Sequence, residues 1–143
     1  MVDNLKPEDR RKTMQAVKGK RTRLEKRLFS MLAGMNLKGW KQNVQDIIGK
    51  PDVAFIDKKV AIFIDGCFWH GCPICKRKLP QTNRKYWASK IARNIELAKV
   101  HNKQLRKDGW IVIRIWEHEI SNDNKRKIIR SKIRQNVKLD YFY

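Results

Sequence analysis

Two apolar runs stand out in the pattern of hydrophobic and polar residues. Val60–Ile64 holds five apolar residues in a row, and Trp110–Trp116 (WIVIRIW) is nearly continuous. Runs of this length are typical of strands buried on both faces. Between them, a segment that runs to about Lys107 carries an apolar stripe at helical spacing: Trp87, Ile91, Ile95 and Ala98. Strand, helix and strand in this order predict a right-handed crossover, so the two strands should be parallel neighbours.

Shorter segments predict a mixed sheet flanked by helices. Thr22–Glu25 has the pattern of a capping box and opens a helix that ends near Gly39. Further along, we predict a weak strand over Trp40–Ile47, a firmer strand over Asp52–Ile56, and a basic helix over about Asn124–Val137. The sequence therefore predicts an α/β fold in a single domain, residues 1–143, in which residues 1–20 form a basic N-terminal arm.

The loop before Val60 sets the register of a predicted hairpin. If Lys58–Lys59 is a two-residue loop, Asp52 lies opposite Asp65 on one side of the sheet. A three-residue loop places Asp52 opposite Ile64 instead. The register therefore decides whether two carboxylates can share a site.

The charge balance favours a partner that is a polyanion. The chain has 34 Lys and Arg against 14 Asp and Glu, which gives a formal net charge of +20. Basic residues spread along a globular pattern suit contacts with phosphates, although a solvated basic surface would have the same composition. The sequence shows no long apolar segment, lipidation motif or secretory signal. We therefore expect a soluble, monomeric, cytoplasmic and nucleoid-associated protein with no membrane partner.

The cysteines directly follow the first buried strand. Cys67, Cys72 and Cys75 are separated by four and two residues, and Cys-x2-Cys is a common zinc-knuckle spacing. Zinc requires a fourth ligand, and the candidates are the three histidines of the chain. His118 would reach the cysteines if the two strands are neighbours, whereas His70 is closer in sequence but would compete with the chemistry expected below. The alternative is that reduced thiols pack as small hydrophobic side chains.

Several motifs together resemble the very short patch repair (Vsr) mismatch endonucleases, which are zinc-containing relatives of the PD-(D/E)xK nucleases. They are Pro51–Asp52, Gly66–His70 (GCFWH), the cysteine cluster, and Trp116–His118 (WEH), and the resemblance runs from about Arg10 to Glu119. It implies a restriction-endonuclease-like fold and a magnesium-dependent, strand-specific nick 5′ to the thymine of a T·G mispair in double-stranded DNA. Because such mispairs arise by deamination of 5-methylcytosine, the resemblance also implies a functional link to a DNA cytosine-5 methyltransferase.

The resemblance implies a role for each of several residues. Asp52 and the backbone carbonyl of Ile64 would hold the catalytic magnesium, since hard cations take oxygen ligands. His70 would act near the phosphate as an acid, a base or a water-positioning group. Glu25 resembles an acid that orients a water at the metal, although the capping box alone also explains a Glu three residues after Thr22.

Other residues match positions that contact DNA. Phe68 and Trp69 would be wedges that unstack base pairs at the mispair, and the alternative is that they pack in the core. Met14 matches a residue that inserts from the opposite side. Lys90 and Asn94 would touch the mispaired bases, and the alternative is that they are exposed polar residues on a helix.

The chain departs from the family pattern at two positions. Asp65 stands where the family commonly has a histidine, and Ala98 stands where it has an aspartate that could partner that histidine. We therefore hypothesise that Asp65 binds metal directly with Asp52, which depends on the hairpin register, and the alternative is a loss of activity. Two rival functions are a nuclease of different specificity and a zinc-braced module that binds or bends DNA without cutting it.

Overall fold

The computed structural model describes residues 22–76 and 78–137. The predicted basic arm, residues 1–20, and Met14 within it lie outside the described residues. Within the described ranges the elements are α1 (22–34), β1 (Trp40–Gln42), β2 (Val53–Phe55), β3 (Val60–Asp65), α2 (Arg84–Lys107), β4 (Ile111–Trp116), α3 (Glu117–Ile120) and α4 (Asp123–Val137). None of these helices is long and apolar enough to cross a membrane.

The four strands form one mixed sheet in the order β1-β2-β3-β4. The pairs β1–β2 and β2–β3 are antiparallel, and β3–β4 is parallel from Val60↔Ile111 to Asp65↔Trp116. The helix α2 makes the crossover between the two parallel strands. The predicted α/β class, the parallel pair and the long helix are confirmed, because the strongest apolar runs specified them.

The two faces of β3 pack against different helices. Val60, Ile62 and Ile64 belong to the larger core cluster, which includes buried residues of α1 and α4. Ala61 and Phe63 belong to a second cluster with Leu105 of α2. Because successive side chains of a strand point to opposite faces, Asp65 lies on the same face as Phe63. The acid at the end of β3 is thus directed to the α2 side of the sheet.

Both predicted hairpin registers are wrong. Phe55 pairs with Val60 across a four-residue turn, residues 56–59, rather than a turn of two or three residues. The turn is longer because Lys59 adopts a left-handed conformation, with a φ of 53°, and its N–H donates to the Ile56 carbonyl at 3.2 Å. Continuing the observed register places Asp52 opposite Phe63.

Two other elements end earlier than predicted. The helix α1 ends at residue 34, because Asn36 takes a left-handed conformation with a φ of 60°, as residues that terminate helices often do. The strand β1 ends at Gln42, because Asn43 has a φ of 47°. The N–H of Asn43 still donates to the Asp52 carbonyl at 2.9 Å. This bond holds the segment that carries Asp52 against β1.

Candidate active site and metal centre

The three cysteines and His118 form one compact cluster. The Nδ1 atom of His118 lies 3.3 Å from Sγ of Cys67, 3.7 Å from Sγ of Cys72 and 3.4 Å from Sγ of Cys75. Zinc bonds of about 2.3 Å to sulfur and 2.0 Å to nitrogen give tetrahedral edges of about 3.5 Å. The four donor atoms all lie within 4.8 Å of one another. The cluster can therefore hold a metal ion such as zinc, with His118 rather than His70 as the histidine.

The pKa values of the thiols show why a cation suits this cluster. Burial raises the pKa of Cys67 to about 12, so its thiol remains protonated when no metal is bound. The pKa of Cys72, in contrast, is lowered overall. Burial alone would raise it, but hydrogen bonds from the backbone N–H groups of Cys75 and Ile74 and from the neighbouring thiols outweigh the effect of burial. A metal ion would stabilise all three cysteines as thiolates.

The parallel pairing of β3 and β4 creates the cluster. Cys67 comes two residues after the end of β3, and His118 is the second residue of α3, which follows β4 directly. Because parallel strands end at the same edge of the sheet, the two ligands meet there. The carboxylate of Glu117 strengthens this junction, since its Oε1 accepts a hydrogen bond from the N–H of Cys67 at 3.1 Å.

The segment between Cys67 and Cys72 is held against α2. The φ of Gly71 is +61°, and a Cβ at this position would lie 2.8 Å from Cδ1 of Ile95 and 2.9 Å from Cγ2 of Ile91. On the same helix, the Nδ2 of Asn94 donates to the carbonyl of Trp69 at 3.0 Å. We call residues 67–72 the knuckle loop. It is fixed by the cysteine cluster on one side and by α2 on the other.

The two aromatic residues of the knuckle loop are half-buried rather than enclosed in the core. The rings of Phe68 and Trp69 pack edge-on against Trp87, with centroid distances of 5.9 and 6.2 Å. The Nζ of Lys90 lies 5.8 Å from the centroid of Trp69. The structure therefore brings Lys90 and Asn94 beside the aromatic pair, and the side chain of Asn94 supports the loop backbone.

A cavity of about 250 Å³ lies beside the knuckle loop at the end of β3. Its lining includes the predicted site residues Asp52, Ile64, Asp65, Phe68, Trp69, His70 and Asn94. Asp52 is buried, and its Oδ2 accepts a hydrogen bond from the N–H of Ile64 at 2.8 Å. The structure thus brings together the two residues expected at the magnesium site. Leu24 of α1 also lines the cavity, whereas its neighbour Glu25, which is half-buried, does not.

The carboxylate of Asp65 is engaged by an arginine. The Nη1 of Arg114 donates to both oxygens of Asp65, at 3.0 and 3.2 Å, and the Nε2 of His70 lies 3.6 Å from Oδ1 of Asp65. The two-residue loop on which a metal-binding Asp65 was based is absent, but the observed register still puts Asp52 opposite Phe63 and so on the same face as Asp65. Both acids line the cavity, and a metal site shared by Asp52 and Asp65 stays a prediction.

Sequence reasoning missed Arg114 and His101, which both line the cavity. Arg114 interrupts an apolar strand, and a charged side chain at such a position requires a buried partner. This interruption could have identified Arg114 from the sequence. His101 lies on α2 three residues after Ala98, so both share a helical face. It packs against Gly49, where a Cβ would lie 3.2 Å from the ring. No comparable signal marks His101 in the sequence, because its packing depends on the irregular segment between β1 and β2.

Fold and site together define a mixed α/β protein in which a cysteine-histidine cluster that can hold a metal ion lies beside a cavity lined by charged residues and histidines. The family model described as DNA mismatch endonuclease Vsr matches residues 2–76. The chain is 37% identical over 138 residues to the Type II nicking enzyme V.NmeDIP of Neisseria meningitidis serogroup C, covering 96% of this chain and 91% of that protein. It is 34% identical over 108 residues to the DNA mismatch endonuclease Vsr of Escherichia coli (strain K12), covering 76% and 69%. The chain belongs to the Vsr family, as its motifs predicted.

Proposed function

We propose that the protein is a magnesium-dependent endonuclease that nicks one DNA strand 5′ to the thymine of a T·G mispair, as in very short patch repair. One observation carries the proposal. Asp52 and His70 line the same cavity, directly beside the half-exposed Phe68 and Trp69. Groups for phosphodiester chemistry and groups for unstacking bases therefore adjoin each other on one surface. Membership of a family whose relatives are nicking enzymes supports the same function.

The carboxylate of Asp52 and the backbone carbonyl of Ile64 are suitable ligands for a magnesium ion. A carboxylate and a backbone carbonyl are hard oxygen ligands, and the two residues are already joined by a 2.8 Å hydrogen bond. When bound, Mg²⁺ supplies stabilisation of the charge that develops on the scissile phosphate. The hydrogen bond from Ile64 fixes the rotamer of the buried Asp52 side chain, so that little reorganisation is needed on binding.

His70 is the proposed proton-transfer group. Its Nε2 faces Asp65, and its side chain is 24% exposed, so the ring is held but remains accessible. An imidazole near neutral pH can donate or accept a proton at the phosphate or at the attacking water. Glu25 is half-buried and does not line the cavity, so its proposed role in orienting that water is supported by the family resemblance alone.

Phe68 and Trp69 are the proposed wedges at the mispair. Each ring keeps an exposed part while its edge is braced on Trp87. Inserting apolar side chains between base pairs costs about a few kcal/mol per step, and a mispair lowers that cost. Lys90, beside Trp69, would contact the DNA next to the wedge, and Asn94 would act through the loop that it supports. Met14 keeps its proposed insertion from the opposite side.

The metal cluster is proposed to be a structural zinc site, since all four of its ligands are protein side chains. The protein would act as a monomer on double-stranded DNA in the cytoplasm, with its positive charge directed to the phosphates. A DNA cytosine-5 methyltransferase would be its functional partner, because deamination of the methylated base creates T·G mispairs.

Single-turnover nicking of matched T·G, T·A and C·G duplexes in Mg²⁺ tests the proposal. We expect nicking of the T·G duplex alone. In Asp52→Asn the rate should fall on the order of 1,000-fold, as expected when metal stabilisation of several kcal/mol is lost. Affinity for the duplex should be retained. Asp57→Asn, an exposed acid on the β2–β3 turn, is the matched control and should nick normally.

Two results would contradict the proposal. Binding of the T·G duplex without a cut in any divalent ion would favour a DNA-binding or DNA-bending module. Equal nicking of paired and mispaired duplexes would indicate a nuclease of different specificity.

A further inference from the structure

Arg114 occupies an unusual place in the sheet. It belongs to β4, whose other residues are apolar, and its side chain is only 18% exposed. Three contacts hold the guanidinium. Its Nε donates to Oδ1 of Asn102 at 2.7 Å, its Cζ lies 4.0 Å from the ring centroid of Phe63, and its Nη1 donates to Asp65. Contacts from a helix, a strand and an aromatic face leave the group little freedom to move.

These contacts determine what the carboxylate of Asp65 can do. A guanidinium is always charged, and here it contacts both carboxylate oxygens of a side chain that is 6% exposed. The guanidinium already balances the charge of Asp65, and its positive charge would repel a metal ion bound to the same carboxylate, so direct metal binding by Asp65 is disfavoured. On the cavity side, the Nε2 of His70 lies 3.6 Å from Oδ1 of Asp65.

We propose that Arg114 and Asp65 form a positioning pair for His70, in which Arg114 keeps Asp65 in place and Asp65 holds the imidazole edge at the cavity. The inference rests on the proposed nicking function, in which His70 transfers the proton. The pair leaves Asp52 as the acidic metal ligand. In this chain Asp65 and Ala98 stand where the family resemblance implies a histidine and its aspartate partner. The carboxylate partner of a histidine would here be Asp65, and the histidine would be His70.

A double-mutant cycle separates positioning from metal binding. If Asp65 acts through His70, Asp65→Asn should slow single-turnover nicking by about 10- to 100-fold, part of the 10²- to 10⁴-fold that proton-transfer groups supply. In a His70→Ala background the same change should cost no more than about twofold, because the two residues act as a unit. The Mg²⁺ concentration for half-maximal rate and the affinity for DNA should stay the same.

Arg114→Lys tests the outer part of the pair. A lysine keeps the charge, but its single ammonium group cannot reproduce the fork in which Nε contacts Asn102 and Nη1 contacts Asp65. The rate should therefore fall, while zinc content stays at that of the wild type. Arg134→Lys, on the exposed face of α4, is the matched control and should leave the rate unchanged. Two results would overturn the proposal in favour of Asp65 as a metal ligand. One is a nicking rate in the Asp65→Asn/His70→Ala double mutant that is lowered by the product of the two single losses, and the other is a tenfold higher Mg²⁺ requirement in Asp65→Asn.

A spectroscopic measurement decides the inference even if the nicking function is wrong. The imidazole ¹⁵N signals of the three histidines can be assigned in the magnesium-free protein by comparison with a His70→Gln variant. The His70 signals should move in both Asp65→Asn and Arg114→Lys, while those of His118 and those of the Arg134→Lys protein stay in place. Unmoved His70 signals in the two variants would refute the positioning pair, whereas a wild type that nicks no duplex would refute the proposed function alone.

Discussion

At the scale of single residues, Gly71 is a position where backbone and packing both require glycine. Its φ of +61° disfavours any L side chain, and a Cβ would lie under 3.0 Å from both Ile91 and Ile95 of α2. We expect Gly71→Ala to lower the free energy of unfolding by about 1–3 kcal/mol, as overpacking typically does. Because the knuckle loop carries His70, nicking should be slower as well. Urea denaturation and a single-turnover assay measure the two effects.

Gly34→Ala is the matched control for Gly71→Ala. It ends α1, and a Cβ there meets nothing within 4 Å. The substitution should be neutral or should stabilise the protein by up to about 1 kcal/mol, since it restricts the unfolded chain. Equal urea midpoints for the two variants would show that the knuckle loop is not held tightly against α2.

At the scale of elements, the metal cluster links the end of β3 to the start of α3. We expect His118→Ala to lose the bound zinc and to lower the free energy of unfolding by about 3 kcal/mol or more, in the range associated with loss of a metal. The reason is that the buried thiol of Cys67, whose pKa is raised to about 12, then has no cation to balance a thiolate. Metal analysis of the purified protein and thermal denaturation provide the measurements.

His70→Ala is the control for the cluster. The side chain of His70 is directed to Asp65, and the four clustered ligands do not include it. Zinc content should therefore equal that of the wild type. An equal loss of zinc from both histidine variants would mean that the knuckle loop rearranges and that His118 is not the fourth ligand.

Elements with long apolar patterns could be predicted from the sequence, and short ones could not. The runs Val60–Ile64 and Trp110–Trp116 specified β3, β4 and the end of the sheet where the ligands meet. The β2–β3 register could not be predicted, because it depends on the left-handed conformation of Lys59, for which a lysine gives no signal. The same limit applies within the site. The motifs located Asp52 and His70, but the partner of Asp65 depends on which face of β4 carries Arg114.

At the scale of the whole molecule, we expect the net charge of +20 to determine how the protein binds DNA. Lysines and arginines that neutralise phosphates release counterions, so affinity falls as salt rises. If the protein makes about six to ten phosphate contacts, its affinity for a T·G duplex should drop about 10³- to 10⁵-fold between 50 and 200 mM salt. The preference for T·G over T·A duplexes should change much less, because the base contacts and the unstacking proposed for Phe68 and Trp69 would release no counterions. Fluorescence anisotropy across a salt series measures both quantities, with zinc content as a control that salt should leave constant. Affinity that does not depend on salt would show that the basic residues form only a solvated surface. A preference for T·G that disappears together with affinity would show that Phe68 and Trp69 do not recognise the mispair.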